Sequence, residues 1–279
     1  MSEIRDGYYV PHASPYPVLL ALGLFTLALG FILLVNGHAA GKWLMLGAAA
    51  LVGYVLFGWF GNVVAETQHG QFHAWEDRSF RWGMAWFIGS EVMFFAAFFG
   101  ALFYVRNISV PELGHTSLLW PGYNGAWPTS GPAGQAFTPM AAWGVPALNT
   151  LLLLSSAVTV TWAHWGLLKN RRAQLIAGLA ATIALGCLFL GLQAYEYRHA
   201  YSELGLTLGA GVYGATFFML TGFHGFHVTI GAIALAAVLG RALKGHFTPE
   251  SHFGFEGVAW YWHFVDVVWL VLFVFVYWL

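Results

Sequence analysis

The chain has 279 residues, of which 59% are hydrophobic and only 8% charged, with a mean hydropathy of +0.66; a soluble domain carries about a quarter charged residues. Its net charge of −1 offers no basic face for nucleic acid. One cysteine, Cys187, excludes an intrachain disulfide and any thiolate-held cluster within the chain.

Residues 1–16 are polar and punctuated by proline, without the short apolar stretch of a cleavable signal, and are expected to form a cytoplasmic arm. Seven apolar stretches long enough to cross about 30 Å of hydrocarbon follow, at 17–36, 43–65, 82–105, 141–168, 173–195, 208–240 and 255–279. The chain therefore reads as an all-α integral membrane protein, a single seven-helix domain over 17–279. With the N-terminus inside, 8 of the 11 Lys and Arg residues fall on the inner side, so the C-terminus is expected outside. The Pro-, Gly- and Trp-rich segment 107–139 then reads as a compact external loop. Small residues recur along the third span (Gly83, Ser90, Ala97) and the sixth (Gly211, Gly214, Ala215, Gly222, Gly225), a pattern that lets helices approach closely.

Glu91 is the single carboxylate in the apolar run Trp82–Val105. A charge near the bilayer centre costs at least a few kcal/mol, and the residues one and two turns away on its face, among them Phe87, Phe94, Phe95 and Phe98, offer it no hydrogen bond. Its partner must come from another helix, and His227 is the expected one. His164, His224, His227, Glu256, His263 and Asp266 are the other polar residues at membrane depth. The pairs His224/His227 and His263/Asp266 are spaced i, i+3, so each shares a helix face.

Three readings compete for these groups. A metal or haem site is disfavoured because two histidines one turn apart cannot take opposite faces of one haem. The Glu-x-x-His pattern of di-iron bundles occurs once, Glu66-Thr-Gln-His69. A stand-alone proton transporter wants a continuous ionisable relay, and a retinal protein wants a lysine in the seventh span, which has none. The third reading is interhelical hydrogen bonding that holds the bundle in register.

The motifs resolve the class. Gly222-Phe-His-Gly-Phe-His-Val228, His252-Phe-Gly-Phe-Glu256, Ala259-Trp-Tyr-Trp-His-Phe-Val-Asp-Val-Val-Trp269 and Phe87-Ile-Gly-Ser-Glu-Val-Met-Phe-Phe95 resemble the cytochrome c oxidase subunit III family. Pro111-Glu-Leu-Gly114, Leu148-Asn-Thr150, Thr161-Trp-Ala-His164 and Leu192-Gln-Ala-Tyr-Glu196 match further landmarks in order, and Tyr8-Tyr-Val-Pro11 resembles the lead of the seven-helix bacterial form.

The resemblance implies a non-catalytic core subunit of a proton-pumping haem–copper oxidase in a bacterial cell membrane. It implies helices 1–2 (17–65) set apart from helices 3–7 (82–279) by a V-shaped cleft filled with phospholipid. Haem A and copper belong to partner subunits and no cofactor to this chain; subunit I is the main contact and subunit II a second. The implied roles are stabilising subunit I, supporting proton uptake and giving oxygen access. The family's second helix usually carries arginines that are missing here, so lipid contacts fall to Trp59, Glu66, His69 and His73. Arg241, Lys244, His246 and His252 form a second expected lipid-headgroup cluster. Subunit III of a quinol oxidase is the alternative within the class, with fewer spans expected.

Overall fold

A computed structural model describes residues 13–70, 72 and 74–278; His73, Tyr8 to Pro11 and most of the expected N-terminal arm lie outside the described residues. Among the described residues there is helix and loop and no strand. Seven helices among these residues are long and apolar enough to cross a membrane, as the composition predicts. The chain divides into two compact units, 1–80 and 81–279.

The first unit is a hairpin of α1 (Tyr16–Val35) and α2 (Ala40–Gln68). Its turn is stabilised locally: the Asn36 side-chain amide donates to the Ile32 carbonyl at 2.8 Å, and Gly37 takes a φ of 82°, where an L side chain is strained. The two backbones nearly touch. A Cβ on Gly41 would lie 2.5 Å from the Gly30 carbonyl oxygen, and one on Gly23 would lie 2.8 Å from Val52. Small residues at the crossing allow this approach.

Helix α3 (Ala74–Tyr104) carries the chain into the second unit. It continues as a π-helical stretch, Val105–Ser109, and a short α4, Val110–Gly114. The expected loop at 107–139 is thus corrected at its start, because residues 107–114 are helical. Pro111 falls at the first turn of α4, where its missing N–H costs nothing, and the wide turn before it relieves the usual clash with the preceding helix. Helix α5 (Val145–Leu168) starts later than expected, at the junction of Gly144, φ 111°, with Pro146. Helix α6 (Arg172–Ser202) outruns the expected span end at 195 by two turns. Helices α7 (Gly211–Leu243) and α8 (Phe253–Leu272) follow, with a terminal π-helical stretch, Phe273–Trp278.

Helices α5 to α8 pack as a four-membered ring, each against the next and α8 back onto α5. Trp262 of α8 fills its centre. The indole is fully buried and donates through Nε1 to Ser156 Oγ of α5 at 2.8 Å. Gly186 of α6 and Gly231 of α7 leave it room, for a Cβ on either would come within 2.7 and 2.8 Å of the ring. Two turns further on, Trp269 packs edge-on against Phe189 at 4.7 Å and donates to Thr150 Oγ1 at 2.9 Å. Between α5 and α6, Thr159 and Thr182 hydroxyls meet at 2.7 Å.

The long loop after α4 packs onto the start of α7. Phe137 stacks on Tyr213 at 5.1 Å, and the Tyr213 N–H donates to the Thr129 carbonyl at 3.3 Å. Gly211, φ 70°, is required there, since a Cβ would sit 1.9 Å from the Ser130 oxygen. The small-residue stripes are used in part: a Cβ on Gly214 would strike the Thr207 carbonyl oxygen. Nothing lies within 4 Å of a Cβ placed on Gly83 or Gly225, so these positions do not serve the closest helix contacts of the unit, which centre on Gly178, Gly186 and Gly231.

Candidate functional site

Glu91 and His227 meet. His227 Nε2 lies 2.9 Å from Glu91 Oε2, joining α3 to α7 at membrane depth. His227 Nδ1 lies 2.6 Å from the Phe223 carbonyl oxygen; a carbonyl can only accept, so Nδ1 carries a proton. Nε2 of a neutral ring is then a lone pair, and the contact with Glu91 needs one further proton between nitrogen and oxygen. Phe94 and Phe95 line the pair, with ring centroids 6.0 and 5.1 Å from His227. Tyr261 of α8 donates its hydroxyl to the His227 carbonyl at 3.3 Å. This is a part-buried, hydrogen-bonded pair lined by aromatic rings and built from three helices.

His224 points elsewhere. One turn before His227, it is buried to 1% exposure and directs Nε2 to the Val265 carbonyl of α8 at 3.2 Å, between Phe189 and Trp269. The two histidines therefore serve different helices, and among the described residues no three His, Cys, Asp or Glu side chains converge as metal ligands would.

His263 and Asp266 are neighbours on α8, with Nδ1 and Oδ2 3.6 Å apart. His263 Nε2 also reaches Thr161 Oγ1 of α5 at 3.3 Å. Nearer the start of α8, Glu256 pairs with Arg81 of α3, and His252 lies 3.8 Å from the same carboxylate. The His164 ring approaches His252 at 5.8 Å.

Of the expected basic headgroup cluster, Arg241 is the most distinctive member. Its guanidinium lies 4.5 Å from the Phe247 ring and beside Gly254, where a Cβ would meet Nη1 at 2.5 Å. Its Nε is buried without a hydrogen bond. Glu256, the acid next along α8, is taken by Arg81. Lys244 ends α7 and is exposed, while His246 is half-buried. Nearby, Arg172 donates to the Leu243 carbonyl at 2.5 Å.

In the first unit, Trp59 and Glu66 line a cavity of about 430 Å³ together with Tyr16, Phe72, Glu76 and Phe80. Tyr16 and Trp59 stack with centroids 6.1 Å apart. His69 does not line it: its Nδ1 turns back to the Ala65 carbonyl at 2.6 Å. Carboxylates and aromatic faces suit a cationic group rather than an anion, which separates this cavity chemically from the surroundings of Arg241.

One cluster escaped sequence reading. Tyr277 donates to Glu196 Oε1 at 2.5 Å, Gln193 donates to the Tyr277 hydroxyl at 3.5 Å, and Asn149 donates to Gln193 at 3.4 Å. Glu196 is buried to 2%, although it lies just past the span end expected at 195. The available signal was the i, i+3 spacing of Gln193 and Glu196, which puts both on one face.

Comparison with known proteins agrees with this architecture. The family model described as cytochrome c oxidase subunit III matches residues 6–279. The chain is 42% identical to cytochrome c oxidase subunit 3 of Formosania lacustris over 279 residues, covering all of this chain and 99% of that protein. It is 40% identical to that of Marchantia polymorpha over 275 residues, covering 98% and 97%. To that of Dugong dugon it is 41% identical over 279 residues, covering 100% and 99%.

Proposed function

The chain belongs to the cytochrome c oxidase subunit III family, and from that premise we propose that it is a non-catalytic core subunit of a proton-pumping cytochrome c oxidase. It spans the membrane seven times and works within a complex with other oxidase subunits. In this reading it stabilises subunit I as its main contact, with subunit II as a second, supports proton uptake and oxygen access, and holds phospholipid. Haem A and copper sit in those partners. The family includes mitochondrial members; the resemblance of this chain to the seven-helix bacterial form supports reading its membrane as a bacterial cell membrane.

The observation that carries the lipid role is Arg241, a half-buried cation held over an aromatic ring with its Nε unpaired. A phosphate supplies the anion it lacks, in a geometry a guanidinium favours. The cavity at Trp59 and Glu66 suits the ammonium of a zwitterionic headgroup.

Gentle solubilisation tests the assignment. The preparation should show the absorption of haem A and contain subunits I and II with this chain. Arg241→Glu should reduce anionic lipid retained by the complex, by about the 1 kcal/mol expected per basic residue near a membrane surface. Complex stripped of the chain should begin turnover near normally at low pH and then decay. A preparation without haem A would favour a stand-alone transporter, and one oxidising quinol but not cytochrome c would favour the quinol enzyme.

A further inference from the structure

Four buried side chains from three elements meet near one end of the ring: Asn149 of α5, Gln193 and Glu196 of α6, and Tyr277 of the terminal π-helical stretch. Their hydrogen bonds form an open chain that runs one way. Asn149 donates to Gln193, Gln193 to Tyr277 and Tyr277 to Glu196. What remains at the two ends is Asn149 Oδ1 and Glu196 Oε2, both buried without a hydrogen bond.

Neither oxygen has another side chain to turn to. Among the described residues no Lys, Arg or His lies in ion-pair contact with Glu196; His199, one turn on, pairs instead with Glu203 at 3.1 Å. The surroundings are apolar, with Phe217 and Trp269 against the Tyr277 ring at 5.3 and 5.8 Å.

Spacing and chemistry together say what joins the two ends. Asn149 touches Gln193, and Gln193 and Glu196 share a face of α6, about 4.5 Å apart along its axis. That is too far for a direct hydrogen bond and suits two bonds of about 2.8 Å that meet at an angle on one bridging atom. The bridge has to donate to Oδ1, which can only accept, and to match the carboxyl whether ionised or neutral. Water does both, giving two hydrogens, or one hydrogen and a lone pair. A cation serves only the ionised acid, and an anion cannot serve Oδ1.

We propose that Asn149 and Glu196 hold one ordered water between them, and that it closes the chain into a loop of hydrogen bonds fastening α5, α6 and the terminal stretch to one another. Two polar partners meet the minimum for a buried water.

The purified complex provides the test, its structure determined at a resolution that shows water, for the native chain and for Asn149→Leu. One native density peak should lie about 2.6–3.2 Å from both Asn149 Oδ1 and Glu196 Oε2. The Leu variant keeps the bulk and loses the acceptor, and the peak should vanish. The native peak decides the matter even where that variant fails to assemble. Asn149→Leu and Glu196→Met together should lower the thermal midpoint by less than the sum of their separate losses, because both remove the same water. No native peak, a direct Asn149–Glu196 hydrogen bond, or additive losses would overturn the proposal. So would a peak about 2.4 Å from both oxygens, the spacing of a hard cation.

Discussion

Gly186 and Trp262 occupy a single site between them: a methyl on the glycine would lie 2.7 Å from Cη2 of the indole. The ring has little room to yield, because Ser156 holds its nitrogen and the Gly231 backbone lies so close to its other edge that a Cβ there would come within 2.8 Å. Gly186→Ala should therefore destabilise the four-helix ring by about 1–3 kcal/mol, the usual cost of overpacking. Thermal unfolding of the detergent-solubilised complex measures it. Gly191→Ala, on the same helix with nothing within 4 Å of its Cβ, should leave the midpoint unchanged.

The hairpin offers a parallel contrast. Gly41→Ala would thrust a methyl to 2.5 Å from the Gly30 oxygen and the Leu34 nitrogen, both backbone atoms that cannot turn aside. Separation of α1 from α2 should follow, seen as faster cleavage at the 36–39 turn by an added protease. Gly47→Ala, whose Cβ meets nothing, should be cleaved like the native chain.

Glu91→Ala should leave His227 Nε2 with no partner among Phe94, Phe95 and Phe223, at a cost of about 1–3 kcal/mol for an unsatisfied buried group. Retention of the chain during detergent washing should fall. Glu91→Gln keeps the shape and supplies an amide N–H to the ring nitrogen, so retention should stay near native. Oxygen reduction should persist in both variants; its complete loss in the Gln variant would assign Glu91 a catalytic proton step instead.

Tyr277→Phe should strip Glu196 of its closest donor. Glu196 Oε2 already has no hydrogen-bond partner, so the carboxyl would lose most of its satisfaction at once. A loss of about 1–3 kcal/mol is expected. In a double-mutant cycle with Glu196→Gln, the Tyr277→Phe change should cost less, read from the thermal midpoints of the four proteins.

The sequence exposed some of these relationships and concealed others, for physical reasons. Glu91 was visible because one carboxylate in twenty apolar residues has no neutral explanation, and its partner could be guessed from the few polar groups at equal depth. Glu196 was hidden because α6 stays helical for two turns after its apolar run ends, so a buried acid looked like the start of a loop. Helicity at 107–114 is hidden by Pro111, which usually ends helices and here lies within one, just after its π-helical turn. The seat of Trp262 could not be read at all. Ser156, Gly186 and Gly231 are generic small residues until three helices bring them to one indole, and periodicity along a single helix carries no trace of that convergence.

Order of synthesis gives the indole another meaning. Domains form as the chain emerges, earlier segments first, and α8 is made after α5, α6 and α7. Helices α5, α6 and α7 must therefore enter the membrane with a vacant slot lined by Ser156, Gly186 and Gly231. Until Trp262 arrives, that slot is a gap with a hydroxyl at its wall, filled by lipid or by nothing. A chain truncated before α8 would keep its α1–α2 hairpin, whose seam is complete by residue 68, but would hold a hollow second unit. Quality control that recognises poorly packed membrane helices has, in this protein, a late-arriving helix with a buried indole by which filled bundles differ from hollow ones.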